Sequence, residues 1–358
     1  MMSFAPLALT AATAAMVAVP LLPVAFELRR RQDAAPLPTR TDDGHIENFA
    51  ASFVARLEPL ADLIAECALA GSTRLVSLAD GSKALLLGSP TALGELRVLT
   101  RRNHITAAIF CWEGRTLPGA EQITTDVYSA GDLETGPGCG FRALYCRGSA
   151  HLGPHTSIFR WVHASDVLSF GKGSELYGRA SSAHSLHLAM GCRFERVHAP
   201  AVLIGCDALP SELQRPSHYA GRSIMDIKLG RVLAGGDFRL DCGDVLQGHV
   251  IAAGSVWLGA GSRVLGSLKS RHHAHIGRGS EIQGAVVSST GLDVAGASHI
   301  RGPVIAEGEL TIGPETQIGS PEAPTSVSAP RIRMAPGSVV YGTLWARDEG
   351  RVDEEKES

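Results

Sequence analysis

Five glycines, Gly230, Gly248, Gly266, Gly284 and Gly302, stand 18 residues apart, and an apolar ladder at Leu240, Leu258, Ile276, Val294 and Ile312 keeps the same step. A fixed period of this length marks a repeat architecture, in which each unit buries its apolar face only against its neighbours. Six positions after each ladder residue the chain is apolar again, at Leu246, Val264, Ile282, Ile300 and Ile318, and ten positions after it stand Val250, Leu268, Val286 and Val304. The fourth position is Asp244, Ser262, Ser280, Ser298 or Thr316, and the third is Gly243, Gly261, Gly279 or Ala297, with only Glu315 large. A helix would need apolar residues every three or four positions, whereas these short alternating runs suit strands of period two. Three short sides per coil, with glycine at corners a side chain would crowd, predict an all-β fold. The expected architecture is a parallel β-helix, a triangular solenoid of 18 residues per coil.

The same template recurs upstream at Leu152, Phe170 and Leu188, whose sixth-position partners are Ile158, Leu176 and Phe194. These coils are read as part of one solenoid. The step from Leu188 to Leu240 is 52 residues rather than a multiple of 18, so a loop insertion is expected at 206–223, a stretch rich in Pro, Ser and Gln. A second insertion is expected around 321–330, followed by a last coil in which Met334, Val340, Gly342 and Leu344 match the template. Residues 97–151 carry glycines and short apolar runs without a clean register, so 72–205 is read as irregular and then regular coils, and 224–346 as the regular β-helix. The 40 glycines among 358 residues, with aromatics at only 5%, fit a chain of turns and aliphatic core.

Residues 4–26 carry no charge, long enough to cross a hydrocarbon core of ~30 Å as a helix. A cleaved signal peptide would carry its positive charge before the apolar run; here Arg29, Arg30 and Arg31 follow it. Residues 1–28 are therefore expected to be an uncleaved single-pass transmembrane helix, with everything after the arginines in the cytoplasm. A linker at 29–45 leads to an amphipathic helix at 46–71, where Ile46, Phe49, Phe53, Leu57, Leu60 and Ile64 recur at helical steps and Pro59 bends the axis. Its polar face carries Glu47, Glu58, Asp62 and Glu66 against Arg56, which disfavours an anionic membrane surface, so it is expected to cap an open solenoid end. The charged segment 347–358 is expected to be a disordered tail. The seven cysteines are odd in number and contain no CxxC pair, which points to small buried apolar residues rather than to disulfides or zinc.

Of the 14 histidines, the densest group is His272, His273 and His275. Strand alternation puts His273 and His275 on one face, and because Ala274 holds the repeat position of Phe238, Val256, Leu292 and Leu310 it points inward and leaves them outside, where no carboxylate motif accompanies them, so no metal site is expected. No HExxH, nucleophile elbow or phosphate loop is present. The enzyme alternative is a hexapeptide-repeat acyltransferase acting at the inner membrane, for which His218 in the 206–223 loop is the one catalytic candidate. That hexad, seen in Leu258-Gly-Ala-Gly-Ser-Arg and Ile276-Gly-Arg-Gly-Ser-Glu, is obeyed on only one side in three. No cofactor is expected, and a net charge of −3 without a basic stripe disfavours nucleic acid.

The glycine column, the single-sided Ile-Gly-x-Gly-Ser hexads and the segment Gly302-Pro-Val-Ile-Ala-Glu-Gly-Glu-Leu-Thr-Ile-Gly make about a third of the chain resemble the bactofilins. These are bacterial polymer-forming cytoskeletal proteins. The resemblance implies a small β-helix whose ends stack on one another, in some members tethered to the inner membrane by an N-terminal segment. It further implies a non-enzymatic, self-associating scaffold, forming dimers or filaments, with cell-envelope synthesis proteins as candidate partners. The long structured segment before the regular block departs from that family, and its coils are in a position to block one stacking end.

Overall fold

The computed structural model describes residues 46–89, 104–112, 115–205 and 224–354, the stretch 224–229 by its backbone, together with Thr13, Met16 and Val19, which are helical. Apart from those three residues the expected anchor at 1–28, with Arg29, Arg30 and Arg31, the linker and the 206–223 loop with His218, lies outside the described residues. Among the described residues, no helix is long and apolar enough to cross a membrane. The chain divides into two units, Met1–His45 and Ile46–Ser358. The second is a β-solenoid of about 13 turns whose parallel strands lie about 18 residues apart.

In the downstream block, from Arg231 to Ile318, the register follows the 18-residue step residue for residue. Val256 pairs with Ala274, Ala274 with Leu292 and Leu292 with Leu310. The ladder residues Leu240, Leu258, Ile276, Val294 and Ile312 all point inward, as do Val264, Ile282, Ile300 and Ile318 on the next side. The corners explain the small positions of the repeat. The third-position residues Gly243, Gly261 and Gly279 turn through left-handed φ values of 76°, 67° and 69°, and Ala297 and Glu315 are held in the same region at 55° and 58°. The fourth-position hydroxyls are buried and accept the role of corner braces: Ser298 donates to the Ala295 carbonyl at 2.8 Å and Ser280 to that of Gly259 at 3.1 Å. Buried corner carbonyls are thereby satisfied where the ladder is interrupted. The second insertion is shorter than expected, because Thr325–Met334 is already a strand with Val327 and Ala329 inward.

The upstream block is built the same way, with one difference that hid its first coils. Leu168 follows Ala150 by 18 residues, but Ala150 follows its partner Leu133 by 17, and Ile158 likewise follows Phe141 by 17. A shortened corner keeps the coil while breaking the period. At the upstream end the parallel strand Lys83–Leu87 is covered by an antiparallel one, Thr73–Ser77.

The two blocks do not follow one another along the axis. The last upstream strand, Arg193–Ile204, pairs antiparallel with the last strand of the chain, Ser338–Val352, around all three sides of the coil: Arg193 with Arg351, Val197 with Leu344, and Ile204 with Ser338. The expected continuous solenoid is therefore two solenoids joined last coil to last coil, with the chain circling in opposite senses on either side. Gly205 sits at this joint while residue 224 opens the far end.

The same joint corrects the expected disordered tail. Residues 347–352 finish the Ser338–Val352 strand, with Val352 fully buried. The charges that suggest a tail lie on outward positions, where Glu349 approaches Arg193 at 3.5 Å and Asp353 meets Arg333 at 3.2 Å. Gly350 faces inward because the Phe194 ring occupies its side-chain space, 2.3 Å from where a Cβ would lie.

The amphipathic segment forms two helices, α1 (Asn48–Leu57) and α2 (Ala61–Ala70), linked by a 3-10 turn, Glu58–Leu60, that contains Pro59. It does not cap an end. Ala50, Phe53, Leu57, Leu60 and Cys67 pack sideways on the outer surface of one solenoid face, against Ala84, Leu86, Ala107, Ile109, Ala143 and Trp161. Those outward positions are small or apolar, so the face needs a cover that an ordinary polar solenoid face does not. Phe53 meets Trp161 edge-on at 5.6 Å, and Arg179 lies 4.5 Å over the Phe49 ring.

Candidate functional site

Two features stand apart from the regular coil. The first is the coil that opens the downstream block. Its three segments, 224–226, 231–234 and 238–240, pair with 245–247, 249–252 and 256–258. Among the described residues nothing pairs with their other edge. Side chains that elsewhere are sandwiched between coils are here half-covered: Val232 and Ala234 pack on the core from one side only, while Leu233, on the outward side of the strand, is 64% exposed. A Cβ on Gly230, Gly235 or Gly236 would meet nothing within 4 Å, whereas those on Gly248 and Gly266 would strike the preceding coil. The exposed thiol of Cys242 stands at the next corner. At the opposite end of the rod the edge strand is only five residues long and carries Arg74, ion-paired with Glu66 at 2.8 Å, a short charged edge of the kind that resists pairing.

The second feature is a side-chain cluster on the outer surface of the downstream block. His273 and His275 flank the inward Ala274, as strand alternation requires. The next coil brings Asp293 directly opposite His275. The Asp293 Oδ2 lies 2.9 Å from His273 Nε2 and 3.2 Å from His275 Nδ1, and the two imidazoles stack at 4.3 Å. Contrary to the sequence expectation, a carboxylate does accompany these histidines. The signal was available: 275 plus one coil of 18 is 293. Behind them the rings are held in a column, with Trp257 stacked on His275 at 5.8 Å and Arg239 placed 4.8 Å over Trp257. Burial and the neighbouring His273 lower the pKa of His275, while Asp293 acts to raise it. Among the described residues this is the one group of three His, Cys, Asp or Glu side chains able to share a metal ion.

The other histidines serve different places. His151 and Ser169 share a hydrogen bond of 2.7 Å on the outer surface, and Thr116 donates to Glu134 at 3.1 Å on the same face. His163 is buried beside the helices, bonded to Ser181 at 2.9 Å and stacked on Tyr145, which in turn stacks on Tyr128. Burial lowers its pKa, with Glu47 opposing weakly. Its folded form is therefore neutral, and the unfolded chain takes up a proton first as pH falls. The stability it contributes is complete above its unfolded pKa of about 6.5 and is lost as pH drops through the lower folded value, by at most about 1.4 kcal/mol per pH unit. Equilibrium unfolding at pH 7 and pH 5 is expected to show a smaller acid loss in His163→Phe than in the parent, and an equal loss in both would refute this assignment.

Apart from the exposed Cys242, which departs from the expectation, the described cysteines behave as buried apolar residues. Burial pushes the thiols of Cys146 and Cys192 up to about 11 and that of Cys111 to about 12, far from the thiolate needed for reactivity. Cys67 and Cys139 are buried as well, and Cys206 lies outside the described residues. The glycine and apolar ladders are thus structural throughout, with Leu152, Phe170 and Leu188 inward on one upstream side. Set against known proteins, this chain matches no family model, no curated protein and no solved structure.

Proposed function

We propose that this chain is a bactofilin-like, membrane-anchored scaffold that associates with a second copy of itself through the open coil at 224–240. The observation that carries the reading is that coil's edge, unpaired among the described residues, a row of backbone N–H and C=O groups beside the half-covered Val232 and Ala234. The chain already contains one joint of the kind required, where two coil ends meet through antiparallel strands on three sides. That joint also occupies the C-terminal end of the downstream block, which a filament of simple β-helices would need. With one long open edge among the described residues of each molecule, like-to-like pairing closes at two copies. The product is a double rod on the order of 120 Å, two solenoids of about 13 turns at ~4.8 Å per turn. A membrane segment at 4–26 would raise the local concentration for such pairing. The surfaces left free along the double rod would face the cytoplasm and hold envelope-synthesis proteins in place.

The test uses the full chain in detergent. Cys242 is expected to be cross-linked to its counterpart by a short bismaleimide, and sedimentation is expected to give a concentration-dependent dimer. In Val232→Lys the ammonium reaches water past the open edge of the free chain but would be buried against its twin in the pair. Dimer affinity should fall at least a hundredfold with little change in the monomer's fold. A strictly monomeric parent, with no Cys242 cross-link, would overturn the reading.

A further inference from the structure

We propose that His273, His275 and Asp293 form a binding site for a divalent transition-metal ion of the zinc class. Three observations carry it. First, the donor atoms converge: His273 Nε2, His275 Nδ1 and an Asp293 carboxylate oxygen all lie within 4.8 Å of one another, and both nitrogens already point at the same Oδ2. An ion seated among them needs only ligand bonds near 2.0–2.2 Å, so the side chains shift by tenths of an ångström to a little over one. Second, the chemistry of the set is selective. Two imidazoles and one carboxylate suit zinc, cobalt, nickel or copper, whereas magnesium and calcium prefer oxygen alone.

Third, the surrounding coil holds the rings in place. Gly291, one coil beyond His273, leaves the gap that the His273 ring fills, since a Cβ there would lie 2.5 Å from the imidazole Cε1. On its other side His275 is backed by Trp257, itself covered by Arg239. Rotamers fixed in this way lose little freedom on binding, the condition for a site that is ready before the ion arrives. Three protein ligands on a half-exposed surface leave a further position open to water or to a group from another molecule. Binding here is read as metal per chain, so it stands or falls separately from self-association.

The experiment titrates the full chain, in detergent, with Zn²⁺ by calorimetry and with Co²⁺ by visible absorption. The expected result is saturation at one ion per chain, with d–d bands of nitrogen and oxygen ligation and no thiolate charge-transfer band. His273→Ala, His275→Ala and Asp293→Asn should each weaken binding at least about tenfold. His272→Ala, an exposed neighbour that contributes only backbone groups to its surroundings, should bind as the parent does. Asp293→Asn keeps the size and an acceptor oxygen, so its loss of binding cannot be ascribed to a misfolded coil. The proposal fails if no ion binds, if the ligation is through thiolate, or if the three variants bind like the parent.

Discussion

Gly266→Ala is expected to lower the stability of the solenoid by about 3 kcal/mol or more, the upper range for forcing extra volume into a packed interior. A Cβ at this position would stand 2.2 Å from the carbonyl oxygen of Gly248 and 2.6 Å from its carbonyl carbon. Both obstacles are backbone, so no side chain can rotate away, and relief requires two coils to separate. Separation in turn breaks ladder bonds on either side, because each coil is supported only by its neighbours. Gly236→Ala supplies the comparison: its Cβ would meet nothing within 4 Å, and its cost should stay within the usual half kcal/mol of an open surface site. Urea unfolding of the two variants beside the parent decides the matter, and a Gly266→Ala midpoint indistinguishable from that of Gly236→Ala would show that the coils do not approach this closely.

Phe194→Ala should cost about 3–5 kcal/mol, the range for deleting a buried aromatic ring. Phe194 is 2% exposed and sits at the joint, with its ring in the space that a side chain on Gly350 would claim. Its loss leaves a void between the last coils of the two blocks, where the inter-block pairing is antiparallel. The effect should be local in a telling way: amide exchange in Arg193–Ile204 and Ser338–Val352 should accelerate together, while strands deep in either block change less. Gly350→Ala alone should also destabilise, by collision with the ring, yet in the Phe194→Ala background the added methyl enters the vacated space. The double-mutant cycle is expected to show a coupling of 1 kcal/mol or more. Additive effects would place the ring and the glycine out of contact.

The downstream coils were legible because 18-residue spacing, inward alternation and small corners all follow from contacts between adjacent coils, which are periodic in the chain. Ala274 inward with His273 and His275 outward follows from alternation together with the repeat position that Ala274 shares with Phe238, Val256, Leu292 and Leu310, and stands in the structure. The Asp293 partner needed one further step, a neighbour sought across the coil rather than along the strand. The 17-residue coils between Leu133 and Ile158 escaped a search for a fixed period. The joint could not be found that way at all, because Arg193–Ile204 and Ser338–Val352 pair antiparallel and far apart in sequence, outside any repeat. Misreading 347–352 as a tail has the same root: the strand is held between the upstream coil, whose Arg193 meets Glu349, and the downstream strand Thr325–Met334 on its other flank. The helices were recognised by their apolar spacing, but their place depended on Ala84, Ala107 and Ala143 facing outward, a property of a face whose register was hidden.

The joint also sets a clock. A solenoid that grew in chain order would cover each new strand with the next few residues made. Here the strand ending at Ile204 waits for Ser338–Val352, roughly 130 residues later, which at ordinary synthesis rates of 5–20 residues per second is on the order of ten seconds. Through that interval the nascent chain displays a complete bare edge, while the downstream block is still being assembled from its far end inward. A ribosome that stops anywhere between the two strands releases a molecule with that edge uncovered, however much of the downstream block has been made. Its final fifteen strand residues act as the closing clasp of the whole rod.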